Sequence, residues 1–169
     1  MSTHLTRRSF IQATASGAAA ITLSKALASD APPARKLRKA VMYATVSFKG
    51  SVAEKFKAVR EAGFEGVEPM GAMNQQEVLE ALHGSGLEAA SVCCHSHWRD
   101  TLSHPDAAVR KKGIEGLLVT LRDAKAYGAG SILLVPGVVN KDVGYDVAWK
   151  RSQESIREAI PLATELQVR

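Results

Sequence analysis

The sequence predicts an α/β fold in which parallel strands alternate with helices, as in the first half of a (β/α)8 TIM barrel. Four short apolar segments are each followed by a stretch with helical periodicity, and this alternation is typical of parallel α/β architectures. The last apolar segment is uninterrupted, as expected for a strand that helices help to bury on both faces. The predicted strands span residues 41–47, 66–69, 89–94 and 131–135.

The first 28 residues have the layout of a twin-arginine export signal. Arg7 and Arg8 lie in a TRRSFIQ motif, residues 13–23 are apolar and small, and an A-x-A cleavage site ends at Ala28. The apolar run is shorter than the about 20 residues that span a bilayer, although a retained anchor is the alternative. We therefore expect export by the twin-arginine machinery, cleavage after Ala28, and a periplasmic or otherwise exported protein.

The predicted domain organisation is a signal peptide at 1–28, a linker at 29–39 and a barrel segment at 40–169. The barrel segment is well short of the ~250 residues typical of a complete eight-unit barrel. The net charge is +5, and the predicted signal peptide contributes three basic residues and no acidic residue to it. Without the signal peptide the net charge is therefore +2. This near balance gives no argument for a nucleic-acid partner, and we expect none.

The first two helices have clear start signals. Ser51 and Glu54 form a predicted capping box, and Phe56 lies on the apolar face that follows. Asn74 is the predicted N-cap of the second helix, which is expected to end near Gly86 and to bury Val78, Leu79 and Leu82.

The third and fourth helices are longer. The third begins after His104 and has an apolar stripe, but Gly113 and Gly116 weaken it by up to about 1 kcal/mol each relative to Ala. The fourth spans about 147–166, and Pro161 should bend or split it. Its predicted buried face contains Trp149, Ile156, Ile160 and Ala163.

Two further patterns limit the possible functions. Cys93 and Cys94 are adjacent on a strand, so a mutual disulfide would be strained, and buried thiols are favoured over a redox pair. No G-x-G-x-x-G follows the first strand, which disfavours a dinucleotide-binding fold. The strand and helix pattern alone does not distinguish a barrel segment from an open doubly wound sheet.

Several motifs in order resemble sugar phosphate isomerases/epimerases of the xylose isomerase-like superfamily. The resemblance covers residues 39–169 and is carried by AGFEGVE at 62–68, GLEAASV at 86–92, His97, and YGA before the apolar strand that PG follows at 136–137. It implies a TIM barrel and metal-assisted proton transfer on a small polyhydroxylated sugar or sugar phosphate. The superfamily's divalent metal (Mn, Mg, Co or Zn) is held by Glu, Asp, His and Glu at strands five to eight. None of these ligands is assignable here, so we expect the chain to be inactive or nearly so.

Barrel enzymes place their sites at the C-terminal ends of the strands, and two residues stand out there. Glu68 ends the second strand and is a candidate to bind sugar hydroxyls or position a water, although a surface or salt-bridged carboxylate is the simpler alternative. His97 follows the third strand and is a candidate to bind a substrate oxygen or transfer a proton. A zinc site from Cys94, His95 and His97 would be cramped.

Four other residues are predicted substrate contacts. Trp98 is suited to stack on a sugar face, and Arg99 is suited to hold a phosphate or carboxylate with two hydrogen bonds. Tyr145 and Trp149 follow the fourth strand and are candidates to contact the substrate from there. Packing and solvation are the more common roles of single surface Trp and Arg residues.

Two other functions remain open on the sequence. A non-catalytic half-barrel would bind a sugar or pair with another copy, because an open sheet exposes its edges and an apolar face. An abasic-site endonuclease is the second alternative, since one branch of the superfamily cuts DNA. The near-neutral charge and the predicted export signal argue against that branch.

Overall fold

The computed structural model describes residues 37–169, so the predicted signal peptide and most of the linker lie outside the described residues. Within this part of the chain, none of the helices has the length and apolar character needed to cross a membrane. The strands are β1 (Ala40–Met42), β2 (Gly66–Glu68), β3 (Glu88–Ala89), β4 (Val92–Cys93) and β5 (Ile132–Leu133), and the α-helices are α1 (Val52–Glu61), α2 (Gln75–Ser85), α3 (Ala107–Tyr127) and α4 (Tyr145–Leu166).

All strand pairs are parallel. β1 pairs with β2, β2 with β3, and β4 with β5, while β3 and β4 are the two halves of the predicted third strand. On the far side of β5, the Arg169 N–H donates to the Gly130 carbonyl at 3.0 Å, and the Ile132 N–H donates to the Arg169 carbonyl at 2.7 Å. The strands therefore follow one another in chain order, as in a barrel.

The third strand carries a bulge around Ser91. Gly66 pairs with Glu88, whereas Met70 pairs with Cys93, so the third strand has one more residue than the second between these two pairs. Bulges bend a strand and change which face a side chain occupies, and they are frequent beside active sites. This extra residue explains why the predicted strand 89–94 is divided.

The core lies between the helices and one face of the sheet. Around Gly66 the other face carries small side chains: a Cβ added to Gly66 would lie 3.1 Å from the Ala40 Cβ and 3.4 Å from the Ala90 Cβ. We call this the concave face. The parallel strands with helices against one face are a partial TIM barrel, as predicted, and the open doubly wound sheet is excluded. The largest fully buried apolar side chains in the core are Phe56, Val67, Val78, Val92 and Leu102.

The predicted helix starts are confirmed. Ser51 Oγ accepts from the Glu54 N–H at 3.2 Å, and Glu54 Oε2 accepts from the Ser51 N–H at 2.7 Å, which completes the capping box. Asn74 Oδ1 accepts from the N–H groups of Gln76 and Glu77. These contacts are local in sequence, and sequence patterns therefore reveal them.

The predicted buried face of α4 is partly wrong. Trp149 is 58% exposed and Ile160 is 51% exposed. The buried residues are instead small ones: Ala148, Ser152, Ser155 and Ala159. Small side chains let the helix approach the neighbouring backbone, and the Ser155 hydroxyl donates to the Leu102 carbonyl at 3.3 Å. The helix also continues through Pro161 and is not split. In α2, Leu79 is likewise 40% exposed, contrary to prediction.

Candidate functional site

Glu68 lies at the C-terminal end of β2, on the same face of the strand as Gly66. Its Oε1 accepts a hydrogen bond of 3.0 Å from the Ser91 hydroxyl in the bulge. The buried Cys93 thiol lies further along the third strand. Its pKa is raised mainly by burial, and the neighbouring Cys94 and Glu68 add to this effect. The third strand therefore orients one oxygen of the Glu68 carboxylate, and the other oxygen has no bond among residues 37–169.

Both cysteines are buried and free, as predicted. Cys94 Sγ lies 3.7 Å from the Ser96 hydroxyl. A raised pKa keeps the Cys93 thiol protonated, and a protonated thiol is a poor nucleophile.

His97 lies in the loop after β4 and is only 5% exposed. Its Nδ1 accepts a hydrogen bond of 3.2 Å from the Val135 N–H, just beyond β5. Burial lowers the pKa of the His97 imidazole, and the nearby His95 adds to this effect. The bond ties the loop after the third strand to the end of the fourth.

Two glycines of α3 let the His97 loop pack directly on that helix. A Cβ at Gly116 would overlap the Ser96 hydroxyl, and one at Gly113 would overlap the Asp100 carbonyl oxygen. The sequence indicated only that these glycines weaken the helix. Their role in the fold is to admit the loop that carries His97.

The loop that carries His97 continues to Ser103, where it is bonded to the loop after β5 and to α4. The Ser103 Oγ accepts from the Val138 N–H at 2.9 Å and donates to the Val138 carbonyl at 3.2 Å. The Arg151 guanidinium donates to the Ser103 carbonyl at 3.3 Å. The loops after the third and fourth strands are therefore joined by hydrogen bonds. Sequence reasoning missed Ser91 and Ser103, because no local pattern marks a serine whose partner is distant in the chain.

The other predicted contacts occupy two places. Trp98 is 70% exposed, and its ring meets His97 edge to face with centroids 5.4 Å apart. Arg99 is already paired with its neighbour Asp100, through hydrogen bonds of 2.9 and 2.7 Å that lower the pKa of that carboxyl.

Tyr145 and Trp149 stack at 6.2 Å with 15° between their rings. They line an apolar groove of about 360 Å³ beside Pro136, Val139 and Ile156. No hydrogen bond within residues 37–169 joins this groove to Glu68 or His97.

A divalent metal does not fit the residues that the structure describes. Within residues 37–169, no three histidine, cysteine or carboxylate side chains converge as metal ligands. The cramped zinc site considered for Cys94, His95 and His97 is therefore not formed. We assign no step of any reaction to a metal held by this part of the chain.

Comparisons with known proteins agree with the fold. The family model of the xylose isomerase-like TIM barrel matches residues 56–169. A search of curated proteins gave no match. Among solved structures, the 3-keto-D-glucoside 4-epimerase of E. coli is similar with a TM-score of 0.64 and 20% identity, over 78% of this chain and 54% of that one.

Two further solved structures show the same fold. The D-psicose 3-epimerase of Clostridium cellulolyticum H10, solved with D-tagatose, has a TM-score of 0.58 and 19% identity over 78% of this chain and 50% of its own. The mannonate dehydratase of Streptococcus suis has a TM-score of 0.52 and 15% identity over 79% and 50%. This chain thus spans about half the length of each of these structures. With the match over residues 56–169, the chain belongs to the xylose isomerase-like TIM barrel family.

Proposed function

We propose that this protein is a sugar isomerase/epimerase-like protein and that residues 37–169 contribute the substrate-binding side of its site. The observation that carries the proposal is the placement of Glu68 and His97 at the C-terminal ends of neighbouring strands. Each is held by a hydrogen bond from another strand or its end, Glu68 by Ser91 and His97 by Val135. Barrel enzymes bind substrate at this edge.

The chemistry of these groups suits a small polyhydroxylated compound. A carboxylate accepts hydrogen bonds from hydroxyl groups, and an imidazole binds a hydroxyl or carbonyl oxygen. The 3-epimerase structure contains D-tagatose, and this likeness supports a ketose as the first compound to test. Proton transfer in this family is expected to need a divalent metal, and the described residues do not hold one.

The proposal predicts that the chain binds ketoses without turning them over. The test is titration with D-tagatose by calorimetry, followed by incubation in D2O with Mn²⁺, Mg²⁺, Co²⁺ or Zn²⁺ to detect proton exchange. Glu68→Gln should weaken binding roughly ten- to hundredfold, because a charged hydrogen bond contributes about 1.5–3 kcal/mol. Glu77→Gln, on the exposed start of α2, is the matched control.

Two results would contradict the proposal. Equal D-tagatose affinity in Glu68→Gln and the unaltered protein would remove Glu68 from the site. Stoichiometric tight metal with rapid isomerase turnover would show that the chain is a complete enzyme, contrary to the proposed inactivity.

A second function is a sugar-binding half-barrel that has no catalytic role and associates with another copy. The absence of a three-ligand cluster in residues 37–169 and the small, exposed side chains of the concave face favour it. Gel filtration at several concentrations tests self-association: a dimer supports it, whereas a monomer at all concentrations contradicts it.

We also propose that the protein is exported by the twin-arginine route. The proposal is supported by the TRRSFIQ motif at residues 6–12. Replacing Arg7 and Arg8 by Lys should retain the protein in the cytoplasm with its N-terminus uncleaved. Cell fractionation and the mass of the mature chain measure this, and unchanged export would contradict the proposal.

A further inference from the structure

The hydrogen bond between His97 and Val135 determines where the imidazole carries its proton. The Val135 backbone N–H can only donate, so the His97 Nδ1 that accepts it at 3.2 Å carries no hydrogen. A neutral imidazole has one N–H and one acceptor nitrogen. The hydrogen of neutral His97 is therefore on Nε2.

The surroundings of His97 favour this neutral form. The side chain is 5% exposed, and burial lowers its pKa, with His95 as the next contribution. Protonation of Nδ1 would place two N–H groups against each other and break the bond to Val135. Burial and the hydrogen bond from Val135 therefore both favour the neutral imidazole.

The remaining donor, Nε2–H, has no partner in the described part of the chain. His97 Nε2 has no hydrogen-bond partner among residues 37–169, yet the wholly buried and unpaired side-chain atoms of this region comprise only the Tyr127 hydroxyl. Within residues 37–169, Nε2 is therefore unpaired and not wholly buried, although the imidazole as a whole is 5% exposed. The exposed Trp98 ring meets the imidazole edge to face, with the ring centroids 5.4 Å apart. An imidazole N–H donor in contact with an exposed aromatic side chain is suited to bind a polyol, whose oxygens accept hydrogen bonds and whose C–H faces stack on aromatic rings.

We infer that His97 binds its ligand as a neutral donor, through Nε2–H to a carbonyl or hydroxyl oxygen, and does not act as a base at that nitrogen. Val135 is the positioning residue, because its N–H selects the tautomer. The inference rests on the proposed function and deepens it. It chooses between the two roles that the sequence left open for His97.

Nitrogen-15 NMR of the full chain tests the tautomer directly. Long-range correlations from the ring protons distinguish a protonated from an unprotonated nitrogen. We expect an unprotonated Nδ1 and a protonated Nε2 at neutral pH. A proton on Nδ1, or a fully charged ring, would overturn the inference even if sugars bind.

Ligand titration then tests the role of Nε2. We expect the Nε2 and Nε2–H signals to shift on addition of D-tagatose. Galactitol, which lacks the carbonyl, separates the two oxygen types: a shift with both probes indicates a hydroxyl, and a shift with D-tagatose alone indicates the carbonyl. Binding with no change at Nε2 would overturn the inference and leave the proposed function standing. No binding of either probe at saturating concentration would defeat both.

Two variants provide matched controls. In His97→Asn, the amide oxygen takes the place of Nδ1 and keeps the bond to Val135, but nothing replaces Nε2. In His97→Gln, the amide nitrogen takes the place of Nε2 and keeps a donor. We expect His97→Asn to lose roughly tenfold or more in D-tagatose affinity while the Val135 amide stays protected from exchange. We expect His97→Gln to retain more of the affinity, and the reverse order would overturn the inference.

Discussion

Replacing Gly113 by Ala should destabilise the protein, although helix propensity alone predicts the opposite. In the middle of a helix, Ala is favoured over Gly by about 1 kcal/mol. At Gly113 the added Cβ would overlap the Asp100 carbonyl oxygen and lie 3.0 Å from Leu102 Cδ2 and 3.3 Å from the Asp100 carbonyl carbon. Backbone atoms are among these neighbours, so the loop itself must move.

The expected net effect follows from two opposing contributions. Overpacking a core costs about 1–3 kcal/mol, and the backbone contact places Gly113→Ala toward the upper end. After the gain in helix propensity, the free energy of unfolding should fall by about 1–2 kcal/mol. This corresponds to a decrease of about 4 °C in Tm for each kcal/mol.

Gly84→Ala is the matched control. Gly84 lies in α2, and no atom lies within 4 Å of an added Cβ. Its free energy of unfolding should rise by up to about 1 kcal/mol. Urea denaturation followed by circular dichroism measures both variants. If Gly113→Ala raised the midpoint as much as Gly84→Ala does, the inferred contact between α3 and the His97 loop would be refuted.

Three other perturbations follow from single buried or capping groups. Tyr127→Phe removes a buried hydroxyl that has no partner within residues 37–169, and burial raises the pKa of Tyr127 to about 12. Because no hydrogen bond is lost, the urea midpoint should stay equal or rise. A clear fall would show that the hydroxyl has a partner after all. Asp123→Ala removes the acceptor of the 2.8 Å bond from the Ala72 N–H, where φ is +60°, and should cost about 1–3 kcal/mol, whereas Asp123→Asn should cost less. The bonds from Ser51 lower the pKa of Glu54 below 4.5, so its stabilising contribution is present above pH 4.5 and is lost as the pH falls through the folded-state pKa. The stability of Glu54→Gln should therefore converge with that of the unaltered protein in acid, and a constant difference would contradict this.

The elements of the fold were largely predictable because their signals are local. The capping box at Ser51, the N-cap at Asn74 and the left-handed Gly86 at the end of α2 each act within a few residues. The strand ends then placed Glu68 and His97 at one edge, because parallel strands share their direction. The site residues themselves stay predictions until binding is measured.

The failures of sequence reasoning have a common cause. On α4, periodicity selected Trp149 and Ile160 as buried, but the helix instead buries small residues. Among them, Ser155 donates to the Leu102 carbonyl and Ser152 lies against Gly137, each in a different loop. The choice of face depends on which backbone the helix must approach, and that backbone is formed by residues far away in the chain. Hydrophobic periodicity reports only how apolar each face of a helix is. It carries no information on how closely that face must approach a neighbouring backbone.

The sequence by itself determined the order of strands and helices, the family resemblance and the candidate edge of the sheet, because these depend on local propensity and on the direction of the chain. Tertiary structure decided how the site is oriented. The bulge brings Ser91 to Glu68, 23 positions away in the chain, and Val135 reaches His97 across 38 positions. Gly113 and Gly116 have no side chains, so the loop that carries His97 can pack directly on α3. Such contacts join residues whose separation in sequence carries no pattern, so they arise only when the strands pair and the helices close over them.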